Sequence, residues 1–207
     1  MIVVVDYGMG NLRSVAKALE HVGAHVGVSG DPAVVAGAER LVLPGVGAFG
    51  EAARRLREGG LWDAVATHLS SGRPFLGICL GMQLLYETSE EHGQHVGFGV
   101  FPGAVRRLPD DRVKVPHIGW NQVAPSGTPE ARAFFAGVEP GAYVYYDQSF
   151  YCPADGPVAA TTEYGVTLAA AAARGAVWAA QFHPEKSQAV GLRLLSNFVA
   201  SSVEVPS

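Results

Sequence analysis

Pro74-Phe75-Leu76-Gly77-Ile78-Cys79-Leu80-Gly81-Met82-Gln83 is the stretch on which the reading of this 207-residue chain turns. Residues 74–78 form a short apolar run suited to a buried strand, and a helical pattern begins near Gly81. Between them, Gly77-Ile78-Cys79-Leu80-Gly81 has the G-x-nucleophile-x-G form of a strand-to-helix elbow, with cysteine in place of serine. The glycines permit the tight turn. The turn projects Cys79 at a helix N-terminus, where partial positive charge favours thiolate over thiol. On the pentapeptide alone, a buried core cysteine with packing glycines fits as well.

Outward from this stretch, the N-terminal half alternates. Residues 2–5 are an apolar run stopped by Asp6-Tyr7-Gly8, and Leu12, Val15, Ala16 and Leu19 then follow helical spacing. Val26 and Val28 lie in a second apolar stretch, and Leu41-Val42-Leu43 form a third, stopped by Pro44-Gly45. Helical patterns return at about 50–58 and 61–70. Continuous apolar strands alternating with helices predict a parallel sheet covered on both faces. Beyond about residue 96 the pattern is mostly β, with strands expected at 113–115, 142–146, 158–162 and 177–181. A last helix is expected at about 187–201, with Gly191, Leu194, Leu195 and Phe198 on one face. Residues 168–173 are alanine-rich but too short for a low-complexity segment. The expected architecture is α/β: one domain over 1–207, with a mixed, mainly parallel sheet flanked by helices and a β-rich second half.

Composition narrows the function. Apolar residues make up 48% and charged residues 16%, which suits a compact core and argues against disorder. A net charge of −4 argues against binding to phosphate backbones. Two cysteines, Cys79 and Cys152, exclude a disulfide scaffold and suit a reducing compartment. The N-terminus lacks the charged start of a signal peptide, and no run reaches the ~20 apolar residues of a membrane span. A soluble cytoplasmic protein is therefore expected. Gly8-Met9-Gly10-Asn11-Leu12-Arg13 fails as a dinucleotide loop because Arg13 stands where the third glycine is needed. His92 and His95 near Glu90 and Glu91 lack metal-ligand spacing. Neither a metal nor a cofactor is expected.

A thiolate nucleophile needs a base. Of seven histidines, His183 in Gln181-Phe182-His183-Pro184-Glu185 ends an apolar strand candidate, where open α/β sheets place functional groups. In an extended segment His183 and Glu185 share a face, so the carboxylate can fix the imidazole tautomer. Cys79, His183 and Glu185 then form an acyl-transfer triad. An oxyanion could be met by the Leu80 N–H and by the glycine-rich loop Pro44-Gly45-Val46-Gly47-Ala48-Phe49. Cys152 has no elbow and reads as structural.

Gly77-Ile78-Cys79-Leu80-Gly81-Met82-Gln83 together with Phe182-His183-Pro184-Glu185 resembles the class I glutamine amidotransferases. Asp6-Tyr7-Gly8-Met9-Gly10-Asn11-Leu12, the loop 44–49, Pro116-His117-Ile118-Gly119-Trp120-Asn121 and Glu185-Lys186-Ser187 are similar to one branch of that family. It comprises the glutaminase subunits of histidine biosynthesis that feed a separate (β/α)8 cyclase subunit. The resemblance implies that Cys79 attacks the side-chain amide of glutamine, that His183 moves the protons, and that Glu185 orients His183. It implies an oxyanion hole from Val46, Gly47 and Leu80, with the Gly47 amide turned in by a peptide flip. It assigns glutamine binding to Gly45, Gln83, Glu91, Ser149 and Phe150. It implies a heterodimer in which ammonia passes to the cyclase, which makes imidazole glycerol phosphate and an aminoimidazole carboxamide ribotide. Asn11, His117, Trp120 and Lys186 match positions facing that partner. Lys186, near the start of the last helix, is also where the dipole disfavours a cation. Tyr145-Tyr146-Asp147-Gln148-Ser149-Phe150 departs from the family's Tyr-Phe-Val-His-Ser-Tyr, with Gln148 for His and Asp147 for an apolar residue. Two other readings are a stand-alone γ-glutamyl hydrolase or similar Cys–His–Glu amidase, and a non-catalytic binding subunit. The intact triad opposes the second.

Overall fold

Strands covered on both faces must be apolar at every position, and three segments are: Ile2–Val5, Phe75–Cys79 and Val177–Ala180 are buried throughout. The computed structural model describes residues 1–201. In chain order, the first half forms β1 (Ile2–Val5), α1 (Leu12–His21), β2 (Val26–Ser29), α2 (Pro32–Gly37), β3 (Arg40–Gly45), α3 (Phe49–Glu58), α4 (Leu61–Ser70), β4 (Phe75–Cys79) and α5 (Leu80–Gln83). There follow β5 (Tyr86–Ser89), β6 (His95–Val96), β7 (Phe101–Arg107), β8 (His117–Gln122), β9 (Ala124–Pro125) and α6 (Pro129–Phe134). The chain continues through β10 (Tyr143–Gln148), β11 (Phe150–Tyr151), β12 (Val158–Glu163), β13 (Thr167–Arg174), β14 (Val177–Ala180) and α7 (Gln188–Ala200).

Eight strands form the main sheet in the order β2-β1-β3-β4-β14-β13-β12-β9. The run from β2 to β14 is parallel. From β14 to β9 the pairing is antiparallel. The expected mixed, mainly parallel sheet is thus present. Alternate side chains of one strand serve opposite faces. Val3 and Val5 pack with Leu41, Leu43, Phe49 and Leu56, whereas Ile2 and Val4 pack with Val15, Leu19, Leu76 and Phe198. Because β1, β3, β4 and β14 run in one direction, their carboxyl ends share one edge. That edge gathers the loops after residue 5, after Gly45, after Cys79 and after Ala180. A two-stranded ribbon, β10 against β8, pairs Gln148 with His117, and β11-β7-β5-β6 form a second small sheet.

Two expectations change. Residues 113–115 are not a strand: the Val113 N–H turns back to the Pro109 carbonyl (3.1 Å), and the strand starts only at His117. Pro116, which has no N–H to give a ladder, marks the boundary. The helix expected near Gly81 is only the four residues of α5, after which the chain re-enters β structure. The alanine-rich segment is the strand β13, buried at its six central positions. Ala169 and Ala172 serve one core and Ala170, Ala171 and Ala173 the other. Among the described residues no helix is long and apolar enough to cross a membrane.

Candidate active site

Cys79 is the last residue of β4 and the cap of α5, at φ 54° and ψ −108°. A side chain at that backbone conformation costs on the order of 1–3 kcal/mol. The elbow is held by close approach: a Cβ on Gly81 would collide with the Leu43 carbonyl of the neighbouring strand. Leu80 opens α5, so its N–H has no intrahelical acceptor. α5 has only four residues, so the support it gives an anion comes from free N–H groups rather than a full helix dipole.

His183 follows β14 by three residues, and its Nδ1 lies 2.8 Å from Glu185 Oε1. Both side chains are buried. The expected pairing is present, but on a different backbone: Pro184–Lys186 is a 3-10 turn, not an extended segment. Backbone bonds fix the turn, His183 N–H to Tyr145 O (2.9 Å) and Lys186 N–H to His183 O (3.0 Å). The Ser187 hydroxyl adds a bond to His183 O (2.6 Å). Burial, the largest single effect, would depress the imidazole. A hydrogen bond with Cys79, one with Glu185 and the charges of both outweigh it, and His183 is pushed up to about 10. With Nδ1 engaged by Glu185, Nε2 is the nitrogen left to face the thiol. The imidazole thus stands between the Cys79 sulfur and the Glu185 carboxylate.

A cavity of about 340 Å³ opens beside Cys79, lined among others by Val46, Gly47, Leu80, Gln83, Glu91 and Gln148. Pro116, Asp147, Ser149 and Phe150 complete its wall. Val46, Gly47, Leu80, Gln83, Glu91, Ser149 and Phe150 therefore meet at one place. Gly45 does not line it; Gly45 sits behind, paired with Cys79 in the β3–β4 ladder. Its Cβ would stand 2.6 Å from the Tyr7 hydroxyl and 2.8 Å from Leu80 Cβ. Glu91 Oε2 accepts from Phe49 N–H (2.7 Å), so Glu91 also anchors the start of α3. The loop is therefore held at Gly45 and at Phe49, leaving Val46-Gly47-Ala48 between; Gly47 has φ +90°. Gln83 spends its Nε2 hydrogens internally, on Phe150 O (3.0 Å) and Gln181 Oε1 (3.1 Å). Neither amide atom of buried Gln148 has a partner among the described residues. A larger recess of about 710 Å³ lies at the amino ends of β4 and β14, near Pro74, Ala176 and Trp178. It holds no nucleophile with a base, so its size does not make it the site.

Of the positions expected to face a partner, Trp120 is half exposed beside exposed Ile118 and Tyr143, and Asn11 stands immediately before α1 without a side-chain bond to its N–H groups. His117 is different. It is 3% exposed, stacked between Tyr146 (4.7 Å) and Tyr164 (3.7 Å), and burial pushes it down to about 4. In this chain it organises the ribbon rather than presenting a side chain. Lys186 lies just before α7, as expected, 4.0 Å from Asp147 Oδ2 and 5.3 Å above the Tyr145 ring. The cation is answered inside the chain, so its position no longer requires a partner to explain it. Gln181, to which the sequence assigns no role, places its Nε2 3.8 Å from Cys79 Sγ. The signal was its two-residue offset from His183.

A family model for glutamine amidotransferase class-I matches residues 3–201. Imidazole glycerol phosphate synthase subunit HisH of Syntrophotalea carbinolica is 52% identical over 96% of this chain and 98% of its own. The protein of the same name from Aquifex aeolicus is 51% identical over 95% and 94%. Among solved structures, PurLQS from Thermotoga maritima superposes with a TM-score of 0.73 at 18% identity, covering 96% of each chain. That likeness concerns the fold.

Proposed function

The chain belongs to the class I glutamine amidotransferase family, and on that premise we propose that it is the glutamine-hydrolysing subunit of an imidazole glycerol phosphate synthase. Relatives called HisH that share about half of its residues over nearly its full length support this reading. One observation carries the chemistry: a buried His183–Glu185 pair, 2.8 Å apart, beside a cysteine on a strained elbow at the wall of a small cavity.

Glutamine enters with its side-chain amide at Cys79. The thiolate adds to the amide carbon, and the developing oxyanion is met by the Leu80 N–H and, after rotation of the Val46–Gly47 peptide, by the Gly47 N–H. His183, as imidazolium, gives its proton to the departing nitrogen and ammonia leaves. The neutral ring then takes a proton from water as the water attacks the thioester, and glutamate is released. Glu185 holds Nδ1–H throughout, so Nε2 always faces the reaction. Glu91, Ser149 and Phe150 line the part of the cavity left for the α-amino and α-carboxylate groups.

The reading includes a (β/α)8 cyclase subunit as heterodimer partner, docked over Trp120, Ile118 and Tyr143, with Asn11 and Lys186 at its margin. Ammonia passes to it and is consumed in histidine biosynthesis, in the cytoplasm. The isolated chain is nearly idle because Val46-Gly47-Ala48 rests with the hole incomplete, and the partner shifts that population. Glutamate release should be measured with and without the cyclase subunit and its phosphorylated aminoimidazole ligand. Stimulation by orders of magnitude is expected. Full turnover by the chain alone, unchanged by the cyclase, would replace this reading with that of a stand-alone amidase.

A further inference from the structure

We propose that Gln181 supports the nucleophile directly: its side-chain amide is a fixed hydrogen-bond donor to Cys79 Sγ that favours the thiolate. The proposal rests on the reading of Cys79 as nucleophile. The parallel register that pairs Ala180 with Ile78 carries Gln181 to the level of Cys79 one residue further on. A backbone bond from Gln181 N–H to Ala170 O (2.8 Å) ties it to β13. Its side chain is fully buried, and Nε2 lies 3.8 Å from Sγ.

The amide cannot turn over without loss. Gln181 Oε1 accepts from Gln83 Nε2 at 3.1 Å and faces the Cys152 thiol at 3.9 Å. Gln83 is itself fixed by Phe150 O (3.0 Å). Cys152 is completely buried, and burial raises its thiol well above the usual range, so it stays a donor. Two donors at Oε1 leave the NH2 group as the end that meets the sulfur. Cys152, structural on sequence grounds, acquires a purpose as an anchor of this amide.

The sulfur needs such a donor. The Asp147 carbonyl oxygen lies 4.0 Å from Sγ, which suits a thiol S–H but opposes an anion. Other titratable groups near the sulfur are His183, Tyr7 and Cys152, with Asp147 and Glu91 on the cavity wall. Of these only His183 can favour the thiolate by charge, and it gives that charge away in the first half of the reaction. A donor that never ionises keeps helping while His183 changes state.

The test is the pH dependence of alkylation of the full chain by iodoacetamide, with the modified residue located by mass spectrometry. Gln181→Met keeps the volume and removes the donor. The alkylation midpoint should move upward by roughly half to one pH unit, a three- to tenfold loss of reactive thiolate near neutrality. Gln181→Glu, which keeps an acceptor for Gln83 and Cys152 and exchanges NH2 for anionic oxygen, should move it further and is decisive if Gln181→Met does not fold. A folded variant, judged by a cooperative melt, with an unmoved midpoint at Cys79 overturns the role of Gln181 alone. Alkylation of Cys152 instead of Cys79 in the parent chain overturns the nucleophile assignment and this proposal with it.

Discussion

Replacing Glu185 with glutamine removes one charge and almost no volume from the most enclosed part of the site. Glu185 meets His183 Nδ1 at 2.8 Å, and both side chains are buried. Its second oxygen, Oε2, has no hydrogen-bond partner among the described residues, so the imidazole is what answers its charge. Opposing burial, Cys79 and Glu185 each contribute one hydrogen bond and one charge to holding His183 near 10. Exchanging a charge-assisted bond for a neutral one at this depth costs about 1.5–3 kcal/mol. At about 1.4 kcal/mol per pH unit, the imidazolium then titrates one to two units lower. The direction follows: His183 must be protonated to expel ammonia, so its loss cuts activity from the alkaline side. In Glu185→Gln, the alkaline limb of the pH–rate profile should move to lower pH, so that kcat/KM for glutamine in the complex falls by at most about twofold at pH 8 but by about five- to fiftyfold at pH 10. The assay is glutamate release at fixed saturating cyclase across pH 6 to 10. A variant within twofold of the parent at pH 10, with its alkaline limb in place, would show that Glu185 does not sustain the imidazolium.

Other perturbations follow from the same geometry. Cys79→Ala should abolish glutamine-dependent turnover while sparing folding and cyclase binding, and a glutamine-like electrophile should label Cys79 and not the fully buried Cys152; label on Cys152 would contradict this. Gly45→Ala places a methyl against Tyr7 Oη and Leu80 Cβ, so the loop and the Leu80 donor must shift; a fall in kcat of tenfold or more is expected, and unchanged kinetics in a folded variant would show that the two strand ends are not coupled. His68 and His117 are each pushed down by burial to about 4, against an ordinary value of 6.5. The unfolded chain therefore takes up protons that the folded chain refuses once pH drops below 6.5, and stability falls toward pH 4 by up to about 1.4 kcal/mol per pH unit for each histidine. Urea midpoints at pH 7 and pH 5 check the sign; a midpoint that rises toward pH 5 is the opposite of what burial demands.

The parallel half of the fold was legible because its strands carry an unambiguous pattern: Ile2–Val5 and Phe75–Cys79 have nothing polar to expose, and the helices between them keep helical spacing. The β-rich half resisted for identifiable reasons. Alanine is depleted in strands, so β13 carried no strand signal, although its small side chains suit a strand pressed between two cores. Val113 and Val115 advertise a strand that Pro116 forecloses. The triad was readable because an elbow and a strand-end histidine each have a local signature. The inward face of His117 and the ion pair of Lys186 with Asp147 were not readable, since both depend on how β8, β10 and the turn before α7 stack, which spacing does not encode.

The φ of 54° at Cys79 bears on what this lineage can afford to forget. That residue is held in a conformation only glycine adopts comfortably, so its side chain weighs against the stability of β4 and α5. Cys79→Gly should therefore melt higher than Cys79→Ala, although both are inactive. A duplicate gene freed from glutamine hydrolysis would meet no stability barrier to losing its cysteine, and glycine is the replacement that relieves the backbone. Inactive descendants with Gly-x-Gly-x-Gly at the elbow, and the remaining triad intact but idle, are the fossil this geometry predicts.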